Sequence, residues 1–187
     1  MNATTASTPQ AGLEGRIRRA IRDIPDFPKP GIVFKDITPL LADASLFAAV
    51  TEAMAAPFAT AGITHVVAIE SRGFILGAPV AQRLEAGFVP VRKPGKLPAR
   101  VEAEEYDLEY GRDRLEMHAD ACAGSSPRVL VVDDVLATGG TADATLRLVE
   151  KLGAEVVGLS FLIALSFLPG VERLRGGGRV VSALVTY

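Results

Sequence analysis

The stretch Arg128-Val-Leu-Val-Val-Asp-Asp-Val-Leu-Ala-Thr-Gly-Gly-Thr141 constrains the fold more than any other part of the chain. Val129 to Val132 is an unbroken apolar run, which suits a strand of a parallel sheet covered on both faces. Asp133 and Asp134 then mark the point where that strand leaves the core. Ala137 to Thr141 carries no bulky side chain, so its backbone N–H groups can close around an anion. A helix from Ala142 onward would aim its positive dipole end at the same place.

The pattern occurs twice. His65 to Ile69 is a second apolar run, followed by Glu70-Ser71-Arg72-Gly73 and a helix predicted over Phe74 to Glu85. Further strands are predicted at Phe88–Val91, Glu155–Leu165 and Val180–Val185, with a short helical turn at Pro169–Arg175. Strand–loop–helix units of this kind build an α/β domain with a mainly parallel sheet flanked by helices. Ligands of such sheets gather outside the carboxyl ends of the strands, which puts Arg72 and the two aspartates at one edge.

With 187 residues, a single domain over 13–187 is the expectation, behind a flexible leader of residues 1–12. Leu13, Ile17, Ala20, Ile21 and Ile24 recur at helical spacing, and Pro25, Pro28, Pro30 and Gly31 end that helix. Arg16, Arg18, Arg19 and Arg22 lie off its apolar face, as a solvated surface or a partner contact. Asp43 caps a helix from Ala44 to Ala59. Residues 92–105 have little periodicity; Arg92, Lys93, Lys96 and Arg100 precede Glu102, Glu104 and Glu105. They read as a loop, and functionally as a lid that carries cations over an anionic substrate. Tyr106–Glu109 and Arg114–His118, turned at Gly111, alternate as a hairpin does.

Composition excludes more than it selects. A net charge of −2 gives no reason to expect nucleic acid or an anionic membrane as partner. A single cysteine, Cys122, rules out an internal disulfide framework. Met1 to Gln10 is Ala/Thr/Ser-rich with no basic cluster or apolar run and does not read as a signal peptide, and Val156–Leu165 is too short to span a bilayer, so a cytoplasmic location is expected. His65 and His118 receive no role. The Gly139-Gly140 loop lacks the Gly-Lys-Ser/Thr ending of a nucleotide triphosphate loop. Its acids also precede the loop, unlike those of a dinucleotide fold. Two carboxylates beside a phosphate cradle repel a bare phosphate. They suit a ligand that also offers hydroxyl groups or a magnesium ion, and a sugar 5-phosphate meets that demand.

Val-Val-Asp-Asp-Val-Leu-Ala-Thr-Gly-Gly-Thr (131–141) resembles the 5-phosphoribosyl 1-pyrophosphate motif of the type I phosphoribosyltransferases. Phe27 to Leu40, Glu70-Ser-Arg-Gly-Phe74, Arg92-Lys-Pro-Gly-Lys-Leu-Pro98 and Tyr106-Asp-Leu-Glu-Tyr-Gly111 are similar to the adenine-using branch of that family. The resemblance runs from about Ile17 to the C-terminus. It implies the type I fold with a small N-terminal hood (about 13–40 plus a C-terminal segment) and a mobile lid (about 92–118). The implied reaction turns adenine and phosphoribosyl pyrophosphate into AMP and pyrophosphate, with Mg2+, in a homodimer.

Residue by residue, the resemblance assigns the ribose hydroxyls to Asp133 and Asp134, and the 5-phosphate to Ala137, Thr138, Gly139, Gly140 and Thr141. Arg72, with the backbone of Ser71 and Gly73, would grip the pyrophosphate, and Lys96 would reach it from the lid alongside Arg92 and Lys93. Val33 and Lys35 would read the adenine edge through their backbone, with Phe34 and Leu165 on either side of the ring. Glu109 matches the family's acid/base residue, and Tyr110 is its neighbour. Magnesium would be held mainly through the substrate, Asp133 being the side chain able to reach it. The chain departs from the family at Ala164, where an acidic residue is usual, and at Gly170-Val171, where Gly-Arg is usual. Two other readings stay open: a transferase for xanthine or another 6-oxopurine, and a non-catalytic sensor of phosphoribosyl pyrophosphate.

Overall fold

The structure, a computed structural model, describes residues 9–107, 112–176 and 178–187. The chain forms two compact units, one running to Val50 and one from Thr51 to Tyr187.

The first unit holds α1 (Pro9–Ala20), β1 (Arg22–Ile24), β2 (Phe34–Asp36), α2 (Thr38–Ala42) and most of α3 (Ala44–Ala55). Two sequence expectations change here. The helix already starts at Pro9, inside the segment read as a leader, with proline in the first position that tolerates it. It ends at Ala20, and Arg22–Ile24 is an antiparallel partner of β2 rather than a last helical turn. Cross-strand ion pairs hold that ribbon: Arg22 Nη2 to Asp36 Oδ2 at 2.6 Å and Lys35 Nζ to Asp23 Oδ1 at 2.7 Å. Arg16 Nη2 donates to Ser45 Oγ and Arg18 pairs with Glu14. Asp43 caps α3 as expected, since its Oδ1 accepts from the Ser45 and Leu46 N–H groups at 3.0 Å each.

The second unit opens with the end of α3 and a 3₁₀ turn (Ala56–Phe58). It continues through β3 (His65–Ile69), α4 (Arg72–Arg83), β4 (Gly87–Val91), β5 (Val101–Asp107), β6 (Arg112–His118) and β7 (Arg128–Leu136). Then follow α5 (Gly140–Lys151), β8 (Glu155–Ala164), α6 (Gly170–Leu174) and β9 (Val180–Thr186). The central sheet has the order β4-β3-β7-β8-β9 and every pairing is parallel. Val66 to Ile69 and Val129 to Val132 are buried, as a sheet covered on both faces demands.

Alternate residues serve alternate faces. Val67, Ile69, Val129 and Val131 join the apolar cluster of α5, whereas Ala68 meets α4, where a Cβ at Gly77 would fall 2.6 Å from the Ala68 Cβ. The chain leaves β3 toward β4 and leaves β7 toward β8, in opposite directions along the sheet. The crevice between the carboxyl ends of β3 and β7 is therefore the topological switch point, where open α/β sheets place ligands.

Two elements run further than expected. β7 does not end at Val132: Asp133, Val135 and Leu136 stay paired with Phe161, Ile163 and Ala164. Its partner β8 is ten residues long and supplies a ladder beyond the point where β3 stops. β5 begins at Val101, paired with His118, so residues 101–105 are strand rather than loop. Both helices at the crevice start early, α4 at Arg72 and α5 at Gly140. The hairpin residues Glu109 and Tyr110 lie outside the described residues. No helix among the described residues is long and apolar enough to cross a membrane.

Candidate functional site

Arg72 opens α4 at the carboxyl end of β3, and its Nε lies 2.9 Å from Asp134 Oδ2. That oxygen has no aligned hydrogen bond, so the contact is one of opposite charges. The Arg72 side chain is 35% exposed and that of Asp134 only 7%, so the guanidinium reaches the crevice surface while the carboxylate is largely covered. Ser71 N-caps the helix by backbone alone, its carbonyl accepting from the Phe74 N–H at 3.2 Å, and the Glu70–Ser71 peptide is cis.

Asp133 stands against this turn. Its Oδ1 accepts from the Asp134 N–H at 2.9 Å, and a Cβ placed on Gly73 would fall 2.8 Å from the same oxygen. Burial pushes the Asp133 carboxyl well above the ordinary carboxylate range, and the charge of Asp134 adds to the effect. Burial raises Asp134 as well, opposed by Arg72. An acid held this way favours neutral or hydroxyl-bearing neighbours.

Beyond β7, Ala137, Thr138, Gly139 and Thr141 wrap a cavity of about 80 Å³ lined also by Asp133, Val135 and Phe161. Gly139 takes φ +79°, a left-handed conformation that suits glycine. No side chain caps α5, so its first amides are left to an anion at the positive end of the helix dipole. Gly170 of α6 closes the back of the loop: a Cβ there would sit 2.2 Å from the Ala137 carbonyl oxygen. The Leu165 N–H donates to the Leu136 carbonyl at 2.9 Å, which places Leu165 beside the end of β7.

Arg92, Lys93 and Lys96 do not stand free over the crevice. Arg92 Nε lies 3.2 Å from Glu70 Oε2, the Lys93 N–H donates to that oxygen at 3.0 Å, and Lys96 Nζ pairs with Glu70 Oε1. Burial would raise the Glu70 carboxyl, yet Lys96, the Lys93 N–H and Arg92 together hold it below its usual range. Lys93 Nζ pairs with Asp113 at 3.1 Å, a bond that raises the ammonium. Glu70, Asp113 and Glu116 were not singled out in the sequence. The signal for Glu70 was there: an acid directly after a buried apolar strand, as at Asp133.

Arg72, Ser71, Gly73, Asp133 and Asp134 thus share the switch-point crevice, and the loop 137–141 and Leu165 adjoin it. Val33, Phe34 and Lys35 belong to the first unit. There Val33 is 51% exposed and Phe34 meets Phe27 edge-on at 5.1 Å. Ala164 is buried in the apolar cluster and Val171 packs against it. Among the described residues, no group of three or more acids, histidines or cysteines could hold a metal alone.

Comparison with known proteins agrees with this geometry. The model of the phosphoribosyl transferase domain family matches residues 38–166. The adenine phosphoribosyltransferase of Myxococcus xanthus is 57% identical over 187 residues, covering 100% of both chains. The crystal structure of the adenine phosphoribosyltransferase of Rhodothermus marinus superposes with a TM-score of 0.89 at 54% identity, covering 95% of this chain and 99% of that one. The Saccharomyces cerevisiae enzyme, crystallised with an imino-altritol bisphosphate and adenine, superposes with a TM-score of 0.86 at 36% identity, covering 93% and 99%.

Proposed function

The chain belongs to the phosphoribosyltransferase family, and from that membership we propose that it joins adenine to phosphoribosyl pyrophosphate. The reaction yields AMP and pyrophosphate, a glycosyl transfer of purine salvage. The observation that carries the site reading is the convergence at one switch point of a glycine loop around a cavity, the Asp133–Asp134 pair at its wall and Arg72.

In this reading the 5-phosphate sits on the amides of Ala137 to Thr141, at the N-terminus of α5. Asp133 and Asp134 accept hydrogen bonds from the ribose hydroxyls, which resolves the presence of acids beside a phosphate. Adenine N9 forms a bond to C1 of the ribose as the C1–oxygen bond to pyrophosphate breaks, and N9 loses its proton. Positive charge builds on the sugar and negative charge on the leaving group. Arg72, the Ser71 and Gly73 amides and Lys96 meet that negative charge, a preorganised stabilisation needing no protein nucleophile. Glu109 takes the N9 proton or stabilises a protonated ring, with Tyr110 beside it in the hairpin.

Magnesium fits the donor set. Hard carboxylate oxygens and substrate phosphates are the ligands this ion takes, and it keeps several waters of its own. Asp133 would be the side chain to reach it, with the substrate supplying most of the ligands, and the described residues build no closed cage of three or more acids, histidines or cysteines. When bound, the ion would neutralise part of the pyrophosphate charge. From the family resemblance, the backbone of Val33 and Lys35 would read the adenine edge, and Phe34 and Leu165 would flank the ring. A fixed donor–acceptor pair left unpaired by a 6-oxopurine costs about 1–3 kcal/mol for each group. A homodimer in the cytoplasm completes the proposal, with sedimentation as the check on assembly.

The deciding assay supplies phosphoribosyl pyrophosphate, magnesium and each purine base in turn. AMP from adenine is the expected product. XMP or IMP in its place would reassign the substrate.

A further inference from the structure

Of the two largely buried carboxylates without a part in the transfer as described, Glu116 and Glu70, the one nearest Arg72 in the chain is Glu70. Its side chain is 9% exposed at the carboxyl end of β3, two residues before Arg72. It gathers the Arg92 guanidinium, the Lys93 N–H and the Lys96 ammonium, all from a single turn. A second buried acid holds the same turn from behind. The Gly95 N–H, at φ +76°, donates to Glu116 Oε2 at 3.1 Å, and Arg92 and Glu116 exchange backbone hydrogen bonds of 2.9 and 2.7 Å. Glu116 keeps its charge compensated by Arg114 at 3.1 Å. The turn 92–96 is therefore not a loose cationic strap, because its backbone is moored at two points. Among the described residues, the end of Lys96, a side chain 45% exposed, pairs with Glu70 alone.

We infer that Glu70 is a positioning residue for phosphoribosyl transfer, one that holds Lys96 and its turn at the leaving-group end of the crevice before pyrophosphate arrives. The inference rests on the function proposed above. Arg72, Arg92 and Lys96 are like charges, and without an anion among them Lys96 would turn outward to water. Each binding event would then have to collect it again. The opposite possibility, that Glu70 competes with pyrophosphate for Lys96, predicts tighter substrate binding when the carboxylate is neutralised. The two differ in sign.

The test compares initial rates of wild type and Glu70→Gln, with each substrate varied at saturating levels of the other. Glutamine keeps an acceptor for the Lys93 N–H and removes the charge. KM for phosphoribosyl pyrophosphate is expected to rise about tenfold, the size of the rotameric freedom a fixed lysine gives up, while KM for adenine stays unchanged. Glu70→Asp should recover part of the loss and takes over the test if Glu70→Gln does not fold. Because Glu70 acts through Lys96, the same substitution in a Lys96→Ala background should cost much less, as coupled residues do. An unchanged or lower KM for phosphoribosyl pyrophosphate, or a full loss in the Lys96→Ala background, overturns the inference. A wild-type protein that makes no AMP refutes the proposed function instead, and is recognised before any variant is measured.

Discussion

Gly73 and Asp133 lie so close that a single added carbon separates a working arrangement from a clash: a Cβ on Gly73 would fall 2.8 Å from Asp133 Oδ1 and 3.1 Å from the Val132 carbonyl oxygen. The first turn of α4 therefore rests on β7. The groups proposed for the pyrophosphate and for the ribose are set against each other by direct contact.

Gly73→Ala tests that contact. The methyl group must displace the Asp133 carboxylate or the start of α4, and misplacement on the ångström scale costs about 100-fold in rate. Steady-state kinetics should show kcat/KM for phosphoribosyl pyrophosphate reduced by that order while the melting temperature changes little. Wild-type kinetics would show that the two elements are not mutually set.

Asp133→Asn should separate stability from activity. A carboxyl whose folded value is raised costs stability once pH exceeds its ordinary value of 3.8, because the unfolded chain ionises first. The cost grows as pH rises toward the folded value. At pH 7 the asparagine variant should unfold at a higher temperature, by about 2–4 °C for each 1 kcal/mol relieved, and its advantage should vanish below pH 3.8. Its turnover should drop, since an amide is a poorer acceptor for a ribose hydroxyl. Melting curves across pH 3 to 8 read the first effect; a lower melting temperature at pH 7 would contradict it.

Gly170→Ala places a carbon 2.2 Å from the Ala137 carbonyl oxygen and 2.9 Å from Leu136 Cδ1. Neither neighbour can yield without moving the cradle. Overpacking of this kind costs about 2 kcal/mol, or roughly 4–8 °C of melting temperature in a chain of this size. KM for phosphoribosyl pyrophosphate should rise with it. A fully stable variant with unchanged KM would show that α6 does not brace the loop.

In the first unit, Asp36 anchors the start of α2. Its Oδ1 accepts from the Thr38 hydroxyl at 2.7 Å and the Thr38 N–H at 2.9 Å, while Arg22 pairs with Oδ2. The Thr38 hydroxyl, its N–H and Arg22 bring the carboxyl down to about 2. A depressed acid adds stability above its ordinary value of 3.8, and loses it as pH falls through about 2. Hydrogen exchange of the Thr38, Leu40, Leu41 and Ala42 amides should therefore be faster in Asp36→Ala at neutral pH. The difference should close below pH 2.

The sheet was legible because its strands are continuous apolar runs: His65–Ile69 was placed to the residue. The end of β7 was not, since Asp133 to Leu136 remain in the ladder only because β8 extends far enough to pair with them. β1 escaped for the same reason; three exposed residues become a strand through partners 10 to 14 positions away. At the site, the aspartate pair and the glycine loop stood out because their neighbours in sequence are also their neighbours in space. Glu70 did not, because its partners lie at 92, 93 and 96 and only the fold brings them to it.

One helix links the loop 137–141 to the root of the β5–β6 hairpin. Along α5, Arg147 pairs with Glu104 and donates to the Glu105 carbonyl, while Lys151 pairs with Glu102 and donates to the Ala103 carbonyl. The same helix carries the anion loop at its N-terminus. Loop and hairpin root are thus one transplantable module. A designer who grafts residues 137–141 onto another sheet without the flank of α5 inherits the proposed phosphate cradle without the contacts that root the β5–β6 hairpin.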